Sequence, residues 1–209
     1  PSVLSVSSCE MINGTGLKVC GITSLVDADA AAAVGADCLG FIFHAKSPRH
    51  LTVAQYAAMK DGLPPQKRVA VCVEPSAAEL AALEQLEFDH LQIHFSAQTS
   101  GAAIAQWSQI VGRGRLWLAP KLPPGQDVKP EWLPLTDTFL LDTFHVDKFG
   151  GTGETGDWAK FKRHREANPD KNWILSGGLT AENIAAAVAA TGAKFVDVNS
   201  GVEQSPGIK

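Results

Sequence analysis

From residue 17 onward the chain alternates short apolar runs with longer amphipathic stretches. The runs are LKVC (17–20), DCLGFIF (37–43), KRVAVCV (67–73), DHLQIH (89–94), RLWLAPK (115–121), DTFLLD (137–142), NWILS (172–176) and KFVDVN (194–199). Most are continuously apolar rather than alternating, which predicts strands of a parallel sheet buried on both faces. Alanine-rich stretches lie between them, and Ser24, Thr52, Ser76, Asp157 and Thr180 stand where N-caps are expected. S-L-V-D, S-A-A-E and T-A-E-N each put an acidic residue in the first turn, where it complements the helix dipole. The connection PGQDVKPEWLP after the fifth strand is too short and proline-rich for more than a turn or two of helix.

Eight strands in strict βα alternation predict an α/β fold, a single parallel eight-stranded (β/α)8 TIM barrel. An open doubly wound sheet is the alternative, and it would leave two edge strands to cover. The chain stops at GVEQSPGIK soon after the eighth strand, so the final outer helix is expected to be missing. Residues 17–209 form the expected catalytic barrel domain, with residues 1–16 as an N-terminal extension or leader.

Composition narrows the partners. The 209 residues are enough for a one-domain core without staples. A net charge of −4 with interspersed signs offers no basic stripe for nucleic acid or an acidic membrane, and no apolar run approaches the ~20 residues that span a bilayer. The expected partner is a small molecule, with the chain a monomer or homodimer. The four cysteines, Cys9, Cys20, Cys38 and Cys72, form no CxxC pair, which predicts reduced thiols and a cytoplasmic setting.

GGTGETG contains G-x-G-x-x-G at Gly151, Gly153 and Gly156. Dinucleotide binding needs those glycines to turn directly out of a strand, whereas TFHVDKFG intervenes here. A lid over the site, with Gly151 among the substrate-binding residues, is the better expectation. Barrel chemistry gathers at the carboxyl ends of the strands. Cys20, Arg49, His94, Asp142, Gly177–Gly178 and Asn199–Ser200–Gly201 all fall there. SGGLTAEN and NSGVE, after strands seven and eight, suit a phosphate cradle of backbone N–H groups. Arg49 offers a planar cation to a carboxylate or phosphate, and His94 is expected to be a structural donor only.

In this order, KVCGIT, GADCLGFIF with SPR, LQIH, LLD followed by GGTGETGDW, LSGG and DVNSGVEQSPGIK resemble the motifs of phosphoribosylanthranilate isomerases over residues 17–209. The resemblance implies a (β/α)8 barrel in which Cys20 is the general base and Asp142 the general acid. It also implies that Arg49 contacts the anthranilate carboxylate, and that Gly177–Gly178 and Ser200–Gly201 hold the phosphate. Two departures stand out: Phe95 follows His94 where the family usually has glycine, and the last helix is absent.

The implied reaction is an Amadori rearrangement of a phosphorylated aminoaldose. It needs an acid for the ring oxygen and a base for the C2 proton, with no metal or redox cofactor. At an ordinary pKa near 3.9, keeping Asp142 protonated at pH 7 would cost about 4 kcal/mol, so apolar walls such as Leu140 and Leu141 are expected to raise it. Cys20, with a thiol pKa ordinarily about 8.5, needs nearby cations or dipoles to supply thiolate. Buried and inert is the usual fate of strand cysteines, and Cys38 and Cys72 are assigned to it. A histidine-pathway sugar isomerase, which uses two aspartates, is disfavoured by a cysteine at position 20. A non-catalytic phosphate-ligand binding protein is the alternative from another class.

Overall fold

A computed structural model of the protein describes residues 14–123, 125–142 and 157–209. The elements follow in the order β1 (Gly16–Cys20), α1 (Leu25–Ala33), β2 (Cys38–Ile42), α2 (Val53–Met59), β3 (Lys67–Val73), α3 (Ala77–Glu84), β4 (His90–Ser96) and α4 (Gly101–Val111). They continue with β5 (Leu116–Lys121), a 3-10 helix (Pro130–Leu135), β6 (Thr138–Asp142), α5 (Trp158–Ala167), β7 (Asn172–Ser176), α6 (Ile184–Thr191), β8 (Phe195–Val198) and a 3-10 turn (Ser200–Val202). All eight expected strands are present and parallel. They close into one ring in sequence order, with β1 pairing β8 so that Lys18 lies opposite Asp197. Among the described residues no α-helix follows β8, and the proline-rich connection after β5 forms only the 3-10 helix.

The caps explain where the helices begin. Ser24 accepts the Asp27 N–H, Thr52 and Ser76 form reciprocal capping boxes with Gln55 and Glu79, and Asp157 accepts the Lys160 N–H. Thr180 is the exception. Asn183 is the N-cap of α6, and its side chain accepts from the Thr180 N–H at 2.9 Å and donates to the Gly178 carbonyl at 2.8 Å. This amide closes a turn over T-A-E-N, so the helix starts three residues later than a Thr180 cap would give and Glu182 precedes its first turn. The capping signal missing from the sequence reading is Ser100, whose hydroxyl accepts the Ala103 N–H and opens α4.

Alternation along the strands divides the core into two layers. Cys20, Cys38, Ile42, Val69, Val71, Trp117, Ala119, Leu140 and Ile174 fill the barrel interior. The intervening residues, among them Phe41, Leu91, Ile93, Phe95, Phe139, Leu141 and Leu175, face the helices. Phe95 therefore does not enter the ligand side of the barrel. It is buried against Trp107 of α4 and Trp132 of the 3-10 helix, edge to face at centroid distances of 5.7 and 5.1 Å. Where the resembled family carries glycine, this chain fills the corner between a helix and a thinner 3-10 helix with an aromatic ring. Removing that ring as Phe95→Ala is expected to cost about 3–5 kcal/mol, read from urea unfolding, with the far-UV spectrum of the folded state unchanged.

Candidate active site

The carboxyl end of the barrel is built on buried charge. Lys18 and Asp197 point inward from β1 and β8, and the Lys18 Nζ donates to Asp197 Oδ1 at 2.9 Å with side chains 0% and 5% exposed. One pleat further toward the mouth on β1 sits Cys20, also buried. Gly40 on β2 makes the space that these groups share. A Cβ there would lie 2.9 Å from both the Cys20 Sγ and the Lys18 Nζ. Burial pushes the Cys20 thiol up, while Lys18 and then Lys209 act to bring it down; the net direction is upward. The expected cations are therefore present, but burial outweighs them. Across the ring His94 faces inward against Gln92, with its Nε2 2.7 Å from the amide nitrogen. Burial, then Lys18 and His44, push its imidazole down to about 4.

The rim carries a second ion-pair network. Arg49, on the loop after β2, donates to both oxygens of Glu203, from Nε at 2.7 Å and from Nη2 at 2.5 Å. Lys209 donates to Glu203 at 3.1 Å and to the Asn199 carbonyl and side-chain oxygens at 3.2 and 3.1 Å. Gly21, at φ +75°, lets the chain turn out of β1 beneath this network. A Cβ at that position would meet Arg49 Cδ at 2.6 Å and Asn199 Oδ1 at 2.7 Å. Burial opposes the Glu203 charge, but hydrogen bonds from Arg49, Lys209 and the Gly207 N–H outweigh it and pull the carboxyl down to about 2.

Beside the network, Gly177 and Gly178 follow β7 in left-handed conformations at φ 98° and 62°. The 3-10 turn Ser200–Val202 follows β8, and Gly201 presses against the Leu179 carbonyl so closely that a Cβ would collide with it. The two glycine loops are thus neighbours at the carboxyl end of the ring. Asn199 is set apart from them, its side chain turned to Lys209. Asp142 ends β6 exposed, on the same strand face as Leu140, which lines the interior; Leu141 turns to the helix layer and walls nothing inside the barrel. Gly151 and the rest of the glycine-rich segment lie outside the described residues.

The structure thus gathers Cys20, Arg49, Asp142, Gly177, Gly178, Asn199, Ser200 and Gly201 at one end of the ring. It adds Lys18, Asp197, Glu203 and Lys209, which sequence reasoning passed over. Two of them had left a signal. Lys18 interrupts LKVC and Asp197 interrupts KFVDVN, and a charge inside an otherwise apolar buried strand has to find a partner.

A closed parallel ring with its polar groups gathered at the carboxyl end defines a (β/α)8 barrel of the ligand-binding kind. Residues 17–209 match the family model described as N-(5'phosphoribosyl)anthranilate (PRA) isomerase, and the chain belongs to that family. It is 40% identical over 197 residues to N-(5'-phosphoribosyl)anthranilate isomerase of Pseudomonas putida strain GB-1, with 92% of this chain and 90% of that protein covered. Among solved structures, TrpF from Jonesia denitrificans superposes with a TM-score of 0.75 at 33% identity, covering 93% of this chain and 90% of that one. A phosphoribosyl anthranilate isomerase in complex with reduced 1-(o-carboxyphenylamino)-1-deoxyribulose 5-phosphate superposes with a TM-score of 0.71 at 29% identity, covering 93% and 92%.

The Glu203 network predicts an acid-limb effect on stability. Because the folded-state pKa of Glu203 lies below its unfolded value of ~4.3, the contribution is present above pH ~4.3 and is lost as pH falls toward 2. Urea unfolding from pH 6 to pH 2 should show Glu203→Gln less stable than wild type at pH 6, with the gap closing over that window.

Proposed function

We propose that this chain performs its family's isomerisation, the conversion of N-(5-phosphoribosyl)anthranilate to 1-(2-carboxyphenylamino)-1-deoxyribulose 5-phosphate, with Cys20 as general base and Asp142 as general acid. The observation that carries the assignment is the placement of these two groups. Cys20 faces the interior at the carboxyl end of β1, and Asp142 occupies the inward-facing position at the end of β6. Protonation of the ribose ring oxygen by Asp142 opens the ring as the C1–O bond breaks. Removal of the C2 proton by Cys20 then gives the enolamine, which becomes the aminoketose.

The remaining residues hold the substrate. Glu203 occupies the Nε and Nη2 edge of Arg49 and orients the guanidinium, and Nη1, which has no hydrogen-bond partner among the described residues, is the edge assigned to the anthranilate carboxylate. Amides of Gly177, Gly178, Ser200 and Gly201 receive the phosphate, with the Gly201 contact against Leu179 setting the spacing of the two loops. Asn199 supports the rim through Lys209. Gly151 belongs to the same proposal as a covering residue. Asp142 is exposed at the end of β6, and its apolar surroundings come from Leu140 on one side and the anthranilate ring of the substrate on the other. The catalytic unit is taken as residues 17–209, acting as monomer or homodimer. The buried free thiols of Cys20, Cys38 and Cys72 support a reducing, cytoplasmic setting.

Loss of anthranilate-type fluorescence, with substrate generated in situ, tests the assignment. Wild type should turn over, and Cys20→Ser and Asp142→Asn should each lose at least ~100-fold in kcat while remaining folded. Wild-type rates in either variant would remove that residue from the mechanism. Arg49→Met should act mainly by raising KM, as expected for a group that binds ground state and transition state alike.

A further inference from the structure

Lys18 is more than a structural cation. It has no exposure to solvent, and ammonium groups are costly to bury unless paired. Asp197 Oδ1 accepts a hydrogen bond from one of its three N–H groups, at 2.9 Å. Its Nζ also shares with the Cys20 Sγ the space left by the missing side chain of Gly40, each atom lying 2.9 Å from the point a Cβ at residue 40 would take. An alanine at position 40 would occupy that space, so the smallest residue stands where cation and thiol meet.

We propose that Lys18 is a positioning residue for the isomerisation, its ammonium pinned by Asp197 and serving as the counter-cation for the Cys20 thiolate. The proposal rests on the assignment of Cys20 as base. The thiol proton leaves for bulk water before substrate covers the mouth, Lys18 keeps its own protons throughout, and the substrate C2 proton then passes to sulfur. Lys18 does not touch the substrate.

The groups around Cys20 make the idea testable by sign. Inside the barrel and at this end of it stand Lys18 on its own strand, Cys38 on β2, Arg49 on the loop after β2, His94 on β4, Asp142 ending β6, Ser176 on β7, Asp197 on β8 and Lys209 beyond β8. At pH 7 His94 is neutral, since burial with Lys18 and His44 pushes it down to about 4. Cys38 is neutral as well, since burial pushes it up to about 12. Lys18 and Asp197 are left as the principal opposed charges on the thiol, with Lys18 the stronger of the two. Removing one or the other should move Cys20 in opposite directions, which a purely structural role would not do.

The experiment follows the 13Cβ resonance of Cys20 against pH in cysteine-labelled protein, assigned by its absence in Cys20→Ser, together with the pH dependence of kcat/KM. Lys18→Met should raise the Cys20 midpoint by about one unit or more and carry the acid limb of kcat/KM with it. Asp197→Asn should lower both. Lys18→Met/Asp197→Asn, which leaves no unpaired charge and therefore also serves if Lys18→Met does not fold, should give a midpoint above wild type but below that of Lys18→Met. A Cys20 midpoint and an acid limb that match wild type in the folded single or double variant would overturn the proposal. The base assignment fails separately, if Cys20→Ser turns over at the wild-type rate, and the resonance still reports the Lys18 coupling in that case.

Discussion

The seam where β8 meets β1 is the constraint on which the rest depends. Closing a ring of eight strands requires the first and last to pair in one register, and here Lys18 lies opposite Asp197 with their side chains joined at 2.9 Å inside the barrel. A one-residue slip of either strand would turn its charge outward into the apolar layer under the helices and leave the partner charge unpaired inside, so the ion pair penalises such a register. Removing one partner of such a pair costs about 3–5 kcal/mol, most of it from the charge left behind. The same register sets the mouth. Two residues beyond Lys18 comes Cys20, and two beyond Asp197 comes Asn199, which anchors Lys209.

Charge at the rim is organised by the protein's own side chains. Arg49 and Lys209 converge on Glu203, and hydrogen bonds fix these flexible side chains. This ordering limits what has to be fixed on binding, since the guanidinium needs no rotamer search to meet a carboxylate. Beside it, Gly177 and Gly178 adopt left-handed conformations that residues with a Cβ rarely take, and Gly201 packs against backbone. Glycine at these positions is a steric requirement of bringing two loops together at one end of the ring.

Much of this was legible in the sequence for definite physical reasons. Parallel strands buried on both faces read as uninterrupted apolar runs, so all eight could be recognised, and strict alternation with helices pointed to closure. Asp157, Ser24, Thr52 and Ser76 cap as their side-chain chemistry predicts. Thr180 does not, because the Asn183 amide reaches back to Gly178, and that competition depends on a turn that sequence alone does not display. Phe95 stood out in the sequence as a departure from the glycine usual after His94. Strand alternation puts it in the outer layer, against Trp107 and Trp132. The glycine loops and Cys20 were recognisable from strand ends. Of the partners that condition them, Lys18 is two residues from Cys20 on the same strand, whereas Asp197 and Glu203 come from another strand and a loop and meet them only after the ring has closed.

The position of a bound ligand tests the assigned roles most directly. A crystal structure of this chain with reduced 1-(o-carboxyphenylamino)-1-deoxyribulose 5-phosphate should place the ligand's phosphate on the amides of residues 177–178 and 200–201. Its carboxylate should lie on Arg49 and its C2 beside the Cys20 sulfur, with Asp142 near the oxygen released on ring opening. A phosphate bound elsewhere, or a C2 atom out of reach of Cys20 in an otherwise ordered complex, would contradict it.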